Sequence, residues 1–346
     1  MKKRDIKSML LPELQDYFES AGERAFRAEQ VFKWLHNGYA SFSDMTNLPE
    51  DLRTRLDGEF RIDVPVMALK QISKRDGTIK YLWQMEDGAA IESVVMEYKH
   101  GNTICVSTQA GCRMGCAFCA SAIGGLDRNL TASEIENQVS SSQTDSGKRI
   151  SNIVLMGIGE PLDNFDNVMR FLELIRHPMG MNIGARHITL STCGIIENID
   201  KLADYGIELT LTVSLHAPDD ETRARLMPIS QSCSVAELID ACDRYFSRTG
   251  RRISYEYAMI DGVNDTIYHA GLLADRLKDK GSHINLIALN NIPGRQLKAS
   301  TPVSIKAFTD ILRQEGLNFT VRRRLGGDID ASCGQLRGRN GTLGSN

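Results

Sequence analysis

The chain has 346 residues, of which 42% are hydrophobic and 25% are charged, and its formal net charge is −3. This length allows one large domain with additions or two domains, and the composition is typical of a soluble globular protein. No apolar run is long enough to cross a bilayer, so the sequence predicts no membrane span. A net charge near zero also excludes a general attraction to nucleic acid, so RNA or DNA binding would depend on local basic patches.

What the cysteines do depends on the redox compartment in which the protein works. The sequence contains eight cysteines, which could form disulfides in a secreted protein. Residues 5–15 mix charged residues with short apolar runs and lack the hydrophobic region of a signal peptide. We therefore expect a cytoplasmic protein with reduced cysteines, for which metal binding or catalysis is the better explanation.

The first 60 residues have the pattern of a small helical module. LPELQDYFESAG and FRAEQVFKWLHNGY place apolar residues at helical spacing and reach Gly22 and Gly38. Residues 61–101 change to short runs of β-forming residues, separated by Asp76-Gly77, Asp87-Gly88 and His100-Gly101-Asn102. Such pairs favour tight hairpin turns, so we expect a β-rich extension after the helices.

From residue 102 to residue 338, strand-like apolar runs alternate with amphipathic helical segments. This alternation predicts an α/β fold with a parallel sheet, as a partial or closed (β/α) barrel or as a doubly wound sheet. Helices are expected to begin at the capping boxes of residues 131–134 and 234–237 and at Thr301-Pro302. Residues 339–346 are expected to form a flexible tail. The expected strands are NTICVST, SNIVLMGI, ARHITLST, IELTLTVSL, ISYEYAMI, HINLIAL and NFTVRR.

The stretch GCRMGCAFCA places Cys112, Cys116 and Cys119 at the spacing C-x3-C-x2-C. Thiolates are soft ligands that suit zinc or iron–sulfur clusters, and the neighbouring glycines allow the backbone to fold around a metal centre. A closed zinc site and a conventional four-cysteine cluster both need a fourth ligand, and none stands nearby at a suitable spacing. A cluster held by three cysteines would leave one iron open. The alternatives are inert buried cysteines or a zinc ion completed by a distant residue.

The spacing C-x3-C-x-aromatic-C at the end of a first barrel strand resembles the signature of radical S-adenosylmethionine (SAM) enzymes. Other motifs, which extend over nearly the whole chain, are similar to those of the RNA adenine-C2 methyltransferases. They are FRAEQVFKWLH, MTNLPEDLR, RNLTASEI, MGIGEPLDN, STCGI, SLHAPDDETR and VRRRLGGDIDASCGQLRG. The resemblance implies a barrel of the radical SAM type, a 4Fe-4S cluster on the three cysteines, and SAM on the open iron. It also implies 23S rRNA as substrate, tRNA as a further candidate, and an electron donor such as flavodoxin or ferredoxin.

The same resemblance implies a set of cofactor-binding residues. Gly159 and Glu160, in the glycine-rich turn after a predicted strand, would bind the amino group of SAM. The other implied contacts are Ser191, Ser214, Leu215, His216 and Asn290. These segments end predicted strands, and the carboxyl ends of parallel strands share one edge of a sheet, so one ligand could touch them all. Ordinary turn capping and a structural histidine are the alternative explanations.

Two cysteines outside the loop and one glutamate complete the implied active site. Adenine C2 is electron-poor and cannot attack the methyl group of SAM, so the family works in two stages. By resemblance, one SAM methylates Cys333, and a radical from a second SAM activates that methyl group for addition to C2. Cys105 would then attack the Cys333 sulfur and release the product, while Glu92 would remove the C2 proton. Taken alone, Cys105 could be a small apolar residue in a strand.

Basic residues near Cys333 and in the N-terminal module are candidates for RNA binding. Arg322-Arg323-Arg324 precede Cys333, and Arg337 and Arg339 follow it. Phosphate contacts would make binding salt-dependent, although charge runs are also common on solvated faces. The helical module resembles the RNA-binding extension of the family, and the target adenine must leave its stack. The further candidates are Lys148, Arg149, Arg251, Arg252, Arg24, Arg27, Lys33 and Trp34, the last of which could equally be a core residue.

Two other functions stay open on the sequence alone. An enzyme that methylates C8 of the same ribosomal adenosine, and so confers antibiotic resistance, would use the same cysteines. A non-catalytic iron–sulfur protein that binds RNA or transfers electrons would need only the cluster. The segment VRRRLGGDIDASCGQLRG favours the C2 enzyme, and the open iron site argues against the non-catalytic protein. We expect a monomer without membrane attachment.

Overall fold

A long sheet runs through the protein and joins an antiparallel part to a parallel part. The structure is a computed structural model that describes residues 3–38, 41–290, 292 and 296–337. The strands are β1 (Arg4–Asp5), β2 (Phe60–Arg61), β3 (Val66–Ile72), β4 (Ile79–Gln84), β5 (Ala90–Tyr98), β6 (Gly101–Cys105), β7 (Gln109–Gly111), β8 (Leu126–Asn129), β9 (Ile150–Leu155), β10 (Ile188–Thr192), β11 (Thr210–Ser214), β12 (Ser254–Met259), β13 (His283–Ala288) and β14 (Phe319–Val321). In the described residues the long sheet has the strand order β14-β13-β12-β11-β10-β9-β6-β5-β4-β3.

The parallel part of the sheet comprises β6 and the strands from β9 to β14. Each of them runs parallel to its neighbours in this part. Apolar residues such as Ile153, Leu190 and Leu211 are fully buried, as expected for a parallel sheet that is covered on its faces. The structure therefore confirms the α/β alternation that the sequence predicted.

This parallel part is an open, curled sheet rather than a closed barrel. β14 and β3 end the strand order, and no pairing joins them within the described ranges. In a flat sheet β6 and β13 would lie roughly 24 Å apart, because neighbouring strands are spaced by about 4.8 Å. Cys105 on β6 and Ile287 on β13 nevertheless line the same cavity. The sheet therefore curls toward itself, as in the partial barrel that was one of the predicted forms.

Helices follow the parallel strands and begin where the sequence predicted. The N-cap residues Thr131 and Ser234 both form capping boxes, and Thr301 caps a helix with proline in its first turn. The helices are α1 (Leu11–Ser20), α2 (Phe26–His36), α3 (Glu50–Glu59), α4 (Ala132–Ser146), α5 (Phe165–Arg176), α6 (Ile196–Asp204), α7 (Asp220–Leu226), α8 (Val235–Thr249), α9 (Ile267–Leu277) and α10 (Pro302–Gln314). In the portion of the chain that is described, no helix combines the length and apolar character needed to cross a membrane.

The β-rich extension continues the parallel part in the same sheet. β3, β4 and β5 pair as antiparallel hairpins, and β5 then pairs with β6. The hairpin turns fall at the predicted Asp-Gly pairs, where Gly77 and Gly88 have φ values of 72° and 87°. Residues that have a Cβ atom rarely adopt such positive φ values, so glycine is favoured at these two positions. The extension brings β5 next to β6, and β6 ends at Cys105.

The N-terminal helices dock on helix α4 through a buried charged cluster. The Nδ1 atom of His36 lies 2.8 Å from the Glu136 carboxylate, and the Lys7 Nζ atom lies 3.8 Å from it. Lys7 Nζ also donates a hydrogen bond to Asn137 Oδ1 at 2.7 Å. A buried carboxylate is stable only with partners of this kind. The cluster therefore fixes how the helical module sits against the parallel part.

Candidate active site

A cavity lies beyond the carboxyl ends of the parallel strands, and Cys112, Cys116 and Cys119 line it. We call it the cysteine-loop cavity. An adjoining cavity is lined by Cys105 and Cys333, and we call it the thiol-pair cavity. The carboxyl ends of parallel strands are where α/β enzymes bind their ligands. The residues that line both cavities are Met156, Ile287, Ala288, Asn290, Arg322 and Cys333.

Local backbone geometry holds the three-cysteine loop. β7 pairs with β8 in an antiparallel ladder, and the Cys112 N–H donates to the Gly125 carbonyl at 2.9 Å. Gly111 has a φ of 74°, and a Cβ at this position would lie only 2.1 Å from the Gly125 oxygen. Glycine is therefore required beside Cys112. The Ala117 N–H donates to the Leu226 carbonyl at 2.8 Å, which ties the loop to the end of α7.

The three thiols have the chemistry of a cluster site. Burial raises the pKa of the Cys112 thiol to about 12 and raises that of Cys116 as well. A bound metal displaces these protons, because the thiolate is the ligand. In the residues that the structure describes, no three His, Cys, Asp or Glu side chains meet as a single metal ion would require. The thiolates of an iron–sulfur cubane each bind a different iron, so three thiols around one cavity fit such a cluster.

The glycine-rich turn after β9 places Glu160 at the same cavity. A Cβ at Gly159 would lie 2.6 Å from the Gln109 side chain, and the φ of Gly159 is 105°. Glu160 is buried, and burial raises the pKa of its carboxyl group. Its oxygens accept hydrogen bonds from the N–H groups of Cys193 at 2.7 Å and Leu162 at 3.0 Å. These bonds fix the carboxylate at the edge of the cavity, where it can accept a hydrogen bond from a ligand.

Most of the other residues implied as SAM contacts line this cavity together. They are Ser191, Ser214, His216 and Asn290. His216 accepts a hydrogen bond from the Ala258 N–H at 2.9 Å, and burial lowers the pKa of His216 to about 3, so its ring is neutral. Leu215 is different, because its side chain is fully buried in the hydrophobic core. Only the backbone of Leu215 could contact a cofactor.

Cys105 and Cys333 come from opposite ends of the parallel part and meet at the thiol-pair cavity. Cys105 is 9% exposed at the end of β6, and burial raises the pKa of its thiol to about 12. Cys333 is exposed in the loop after β14. All eight cysteines lie in the described residues, and each is a free thiol. Cys333 also lines the cysteine-loop cavity, so this residue stands at the boundary of the two cavities.

The Cys333 loop is docked directly on the three-cysteine loop. The Ala120 N–H donates to the Gly334 carbonyl at 2.7 Å, and the Ser121 hydroxyl donates to the Leu336 carbonyl at 2.7 Å. The Asn290 side-chain amide donates to the Cys333 carbonyl at 2.9 Å. These bonds join segments that are far apart in the sequence and hold Cys333 in place.

Glu92 lies on β5 beneath the Cys333 loop. Its Oε2 atom accepts a hydrogen bond from the Arg337 N–H at 2.6 Å, and its Oε1 atom lies 3.2 Å from Lys80 Nζ. Glu92 is two residues from Val94, which lines the thiol-pair cavity on the same strand. Residues two apart on a strand share a face, so Glu92 faces the edge of this cavity. It does not form part of the described cavity wall.

The structure separates Arg322 from the basic cluster in which sequence reasoning placed it. Its side chain is 24% exposed and lines both cavities, whereas Arg323 and Arg324 are exposed and line only the thiol-pair cavity. The Arg322 N–H still donates to the Leu286 carbonyl at 2.8 Å, so the strand pairing continues past Val321. Side chains alternate between the faces of a strand. That alternation is the sequence signal that could have shown Arg322 pointing inward.

The other basic candidates differ in how far they are available to RNA. Arg337 and Arg252 are exposed, while Lys148 pairs with Glu97 at 2.8 Å. Arg24 and Lys33 are exposed on the helical module. Trp34 packs partly against the core, as the alternative explanation for it required. The exposed side chains are Arg24, Lys33, Arg149, Arg252, Arg323, Arg324 and Arg337, and Arg339 lies outside the described residues.

The class of the protein follows from these features. A three-cysteine loop that follows the first strand of a partial parallel barrel and faces its cavity defines a radical SAM enzyme. The family model described as "Radical SAM superfamily" matches residues 106–269. The model described as "Ribosomal RNA large subunit methyltransferase N-terminal domain" matches residues 5–62.

Relatives with high identity identify the family within that class. The "probable dual-specificity RNA methyltransferase RlmN" of Lachnoclostridium phytofermentans is 48% identical over 97% of this chain and 95% of its own length. The protein of that name from Clostridium botulinum strain Okra is 49% identical over 96% of this chain and 98% of its own length. A radical SAM methyltransferase from Sphaerobacter thermophilus, known from a crystal structure, is 40% identical and has a TM-score of 0.92, with 97% of this chain and 100% of that chain covered. The chain therefore belongs to the RlmN family of radical SAM RNA methyltransferases.

These findings confirm the fold class, the family and the enzyme class that the motifs predicted. Membership of the radical SAM superfamily implies a 4Fe-4S cluster and SAM as cofactors. Similarity to RNA methyltransferases over nearly the whole chain favours an enzyme over the non-catalytic iron–sulfur protein. The predicted boundaries at residues 1–60, 61–101 and 102–338 stay predictions, as do the roles of single residues. The predicted tail, residues 339–346, lies outside the described residues.

Proposed function

We propose that this protein methylates C2 of adenine in 23S rRNA and in tRNA, using a 4Fe-4S cluster, two SAM molecules and a methylated cysteine. One observation carries the proposal: Cys333 lines both the cavity of the three-cysteine loop and the cavity that contains Cys105. A sulfur at that boundary could receive a methyl group on one side and present it to a base on the other. The relatives named RlmN support the C2 enzyme over the C8 enzyme.

Cys112, Cys116 and Cys119 would hold the cluster. Gly159 and Glu160 would bind the amino group of SAM, because the anchored carboxylate is a ready acceptor. When bound, the cluster would supply the electron for the reductive cleavage of SAM, which is the source of the radical in this chemistry. The residues that would contact the rest of SAM are Ser191, Ser214, His216, Asn290 and the backbone of Leu215.

Cys333 would carry the methyl group through the reaction. Its exposed thiol can reach a methyl donor, and its thiolate would take the methyl group of the first SAM by displacement. The methylated side chain would then lose a hydrogen atom to the radical, and its carbon would bond to C2 of the flipped adenine. This route gives the electron-poor C2 atom a radical partner instead of requiring it to act as a nucleophile.

Glu92 and Cys105 would complete the reaction. The addition leaves an unpaired electron on the adduct, and this electron would return to the oxidised cluster. Glu92 would remove the C2 proton as a general base, from a position beneath the Cys333 loop. The Cys105 thiolate would attack the Cys333 sulfur, so that a disulfide forms as the bond between that sulfur and the methylene carbon breaks. The free carbon takes a proton, and the methylated RNA leaves.

RNA would bind through the exposed basic residues around Cys333, including Arg323, Arg324 and Arg337. Arg24 and Lys33 on the N-terminal module would extend that surface. Electrons would come from a small donor such as flavodoxin or ferredoxin. We further propose that the enzyme works as a monomer in the cytoplasm.

The deciding experiment separates the two methyl positions. Reconstituted, reduced enzyme is incubated without oxygen with SAM and either a 23S rRNA fragment or tRNA, and the digested nucleosides are chromatographed against 2-methyladenosine and 8-methyladenosine. We expect 2-methyladenosine from both RNAs. A product only at the 8-methyl position would overturn the proposal in favour of the C8 enzyme, and an unmodified tRNA would remove the dual specificity.

A further inference from the structure

Arg322 is the charged residue that lines both cavities in the described part of the chain. Its guanidinium lies 3.8 Å from Glu256 Oε2 and 3.9 Å from the Met156 sulfur. The backbone pairing with Leu286 holds the residue at the end of β14. This position places a positive charge between Cys333, Cys105 and a buried carboxylate.

The Cys105 thiol beside Arg322 needs a positive partner, because burial opposes the thiolate form of Cys105. Burial raises the pKa of the Cys105 thiol to about 12, and the Arg322 guanidinium acts in the opposite direction. The Cys333 charge is in turn the largest cause that raises the pKa of Arg322. Thiolates rather than thiols are the nucleophiles in methyl transfer and in disulfide exchange. The remaining titratable groups that act on Arg322 are Glu256 and Tyr98, and the exposed Arg323 and Arg324 also line the thiol-pair cavity.

We propose that Arg322 is a positioning residue that stabilises the thiolate forms of Cys333 and Cys105. The inference rests on the proposed function, since it assigns Arg322 to methyl transfer and to product release. In methyl transfer the Cys333 proton passes to solvent, the sulfur–methyl bond forms, and the sulfonium bond breaks to release S-adenosylhomocysteine. In release the disulfide forms, the bond to the methylene carbon breaks, and that carbon keeps the electron pair and takes a proton.

The Glu256 carboxylate also interacts with the positive charge of Arg322, and so reduces its effect on the thiols. It is 4% exposed, and its Oε1 atom accepts a hydrogen bond from the Asn285 amide at 2.9 Å. Its Oε2 atom has no hydrogen-bond partner within the described residues and faces Arg322. Burial raises the pKa of Glu256, and Arg322 lowers it. Neutralising Glu256 would leave more of the Arg322 charge for the thiols, so changes at the two residues should act in opposite directions.

The test follows the alkylation of Cys333 by iodoacetamide in the cluster-containing enzyme, without SAM or RNA, from about pH 6 to about pH 10. Mass spectrometry of the Cys333 peptide gives the rate, after any fraction that is already methylated has been measured. We expect R322Q to raise the midpoint pH by about one unit and to slow alkylation at neutral pH about tenfold. R322K should restore most of the rate because it keeps the charge, and E256Q should lower the midpoint.

R186Q is the matched control, because it removes the same charge from an exposed arginine that lines neither cavity. Water and salt screen such a charge, so we expect the alkylation profile of R186Q to match that of the parent enzyme. Iron content and melting temperature are measured for every variant, and E256Q and R322K decide the question if R322Q loses its cluster.

An R322Q profile equal to that of the parent, or an E256Q midpoint that does not fall, overturns the inference. Because the assay needs no methyl transfer, its outcome is independent of the proposed function. Shifted alkylation in an enzyme that leaves adenine unmodified would contradict the proposed function alone.

Discussion

The three-cysteine loop and the pair formed by Cys105 and Cys333 both place thiols at the mouth of one curled sheet, but the chain builds them differently. The loop is specified within a few residues, by a short β pairing and by Gly111, whose place no other residue can take. The pair joins the end of β6 to a loop after β14, and it exists only because the sheet curls. A locally built site should fail when one residue changes, whereas the distant pair should also respond to the electrostatics of its surroundings.

The largest expected effect is the loss of the cluster from the locally built site. C112A removes one of the thiols that line the cysteine-loop cavity, so we expect reconstituted protein to contain little iron and to show no SAM cleavage. Iron analysis and the visible absorption of the cluster check this. C242A is the control, because Cys242 is fully buried in α8, and it should retain the cluster. Normal cluster content in C112A would show that Cys112 is not a ligand.

The distant pair should fail at a later step. C105A leaves the cysteine loop intact but removes the thiol that would release the product, so we expect RNA to stay covalently bound to Cys333. A denaturing gel with labelled RNA detects the adduct. The double variant C105A/C333A should form none. Free methylated RNA at the normal rate from C105A would remove Cys105 from the mechanism.

A change at Glu92 tests whether residues around the Cys105 and Cys333 pair take part in the chemistry. E92Q keeps the shape of the side chain but removes the base, so we expect turnover to fall by about 10²- to 10⁴-fold with the cluster intact. E97Q, an exposed change on the same strand, is the control and should have little effect. Turnover of E92Q within a few-fold of the parent would assign proton removal to another group.

A change at Gly111 shows how strongly local backbone geometry specifies the three-cysteine loop. G111A combines a φ of 74° with a Cβ that would lie 2.1 Å from a backbone oxygen, so we expect a loss of about 3 kcal/mol or more in unfolding free energy. G147A is the matched control, since Gly147 has a φ of 65° with no atom within 4 Å of the added Cβ. It should cost about 1–2 kcal/mol. Equal losses in denaturant unfolding would show that the close contact relaxes.

The smallest expected effect concerns His216, which lines the cysteine-loop cavity. Its pKa is about 6.5 when unfolded, and burial lowers it to about 3 in the folded protein. The neutral ring therefore stabilises the fold fully above about pH 6.5, and about 2 kcal/mol is lost on acidification to about pH 5. H216Q should flatten this dependence in denaturant unfolding, while H100Q, at an exposed histidine, should keep it. The same pH slope in H216Q and the parent would contradict the assignment.

Sequence reasoning reached the site as far as the information was local. The Asp-Gly turns, the capping boxes of α4 and α8, and the three-cysteine loop depend on residues that are neighbours in the chain, and the structure has each of them where it was predicted. Arg322 was grouped with Arg323 and Arg324, because three adjacent arginines look alike in a sequence. The hydrogen bond from the Arg337 N–H to Glu92 could not be foreseen either, since it joins residues that are 245 positions apart in the sequence.

The sequence by itself determined the class of chemistry, because cysteine spacing, glycine positions and strand–helix alternation act over a few residues or one element. Tertiary structure alone decided that the sheet is open and curled, that Cys333 stands between two cavities, and that Arg322 faces inward. Those features depend on how β6 and β14 approach each other through the packing of the elements between them. A pattern of residues along the chain does not record such distances, because curling changes the separation of strand ends without changing any local motif.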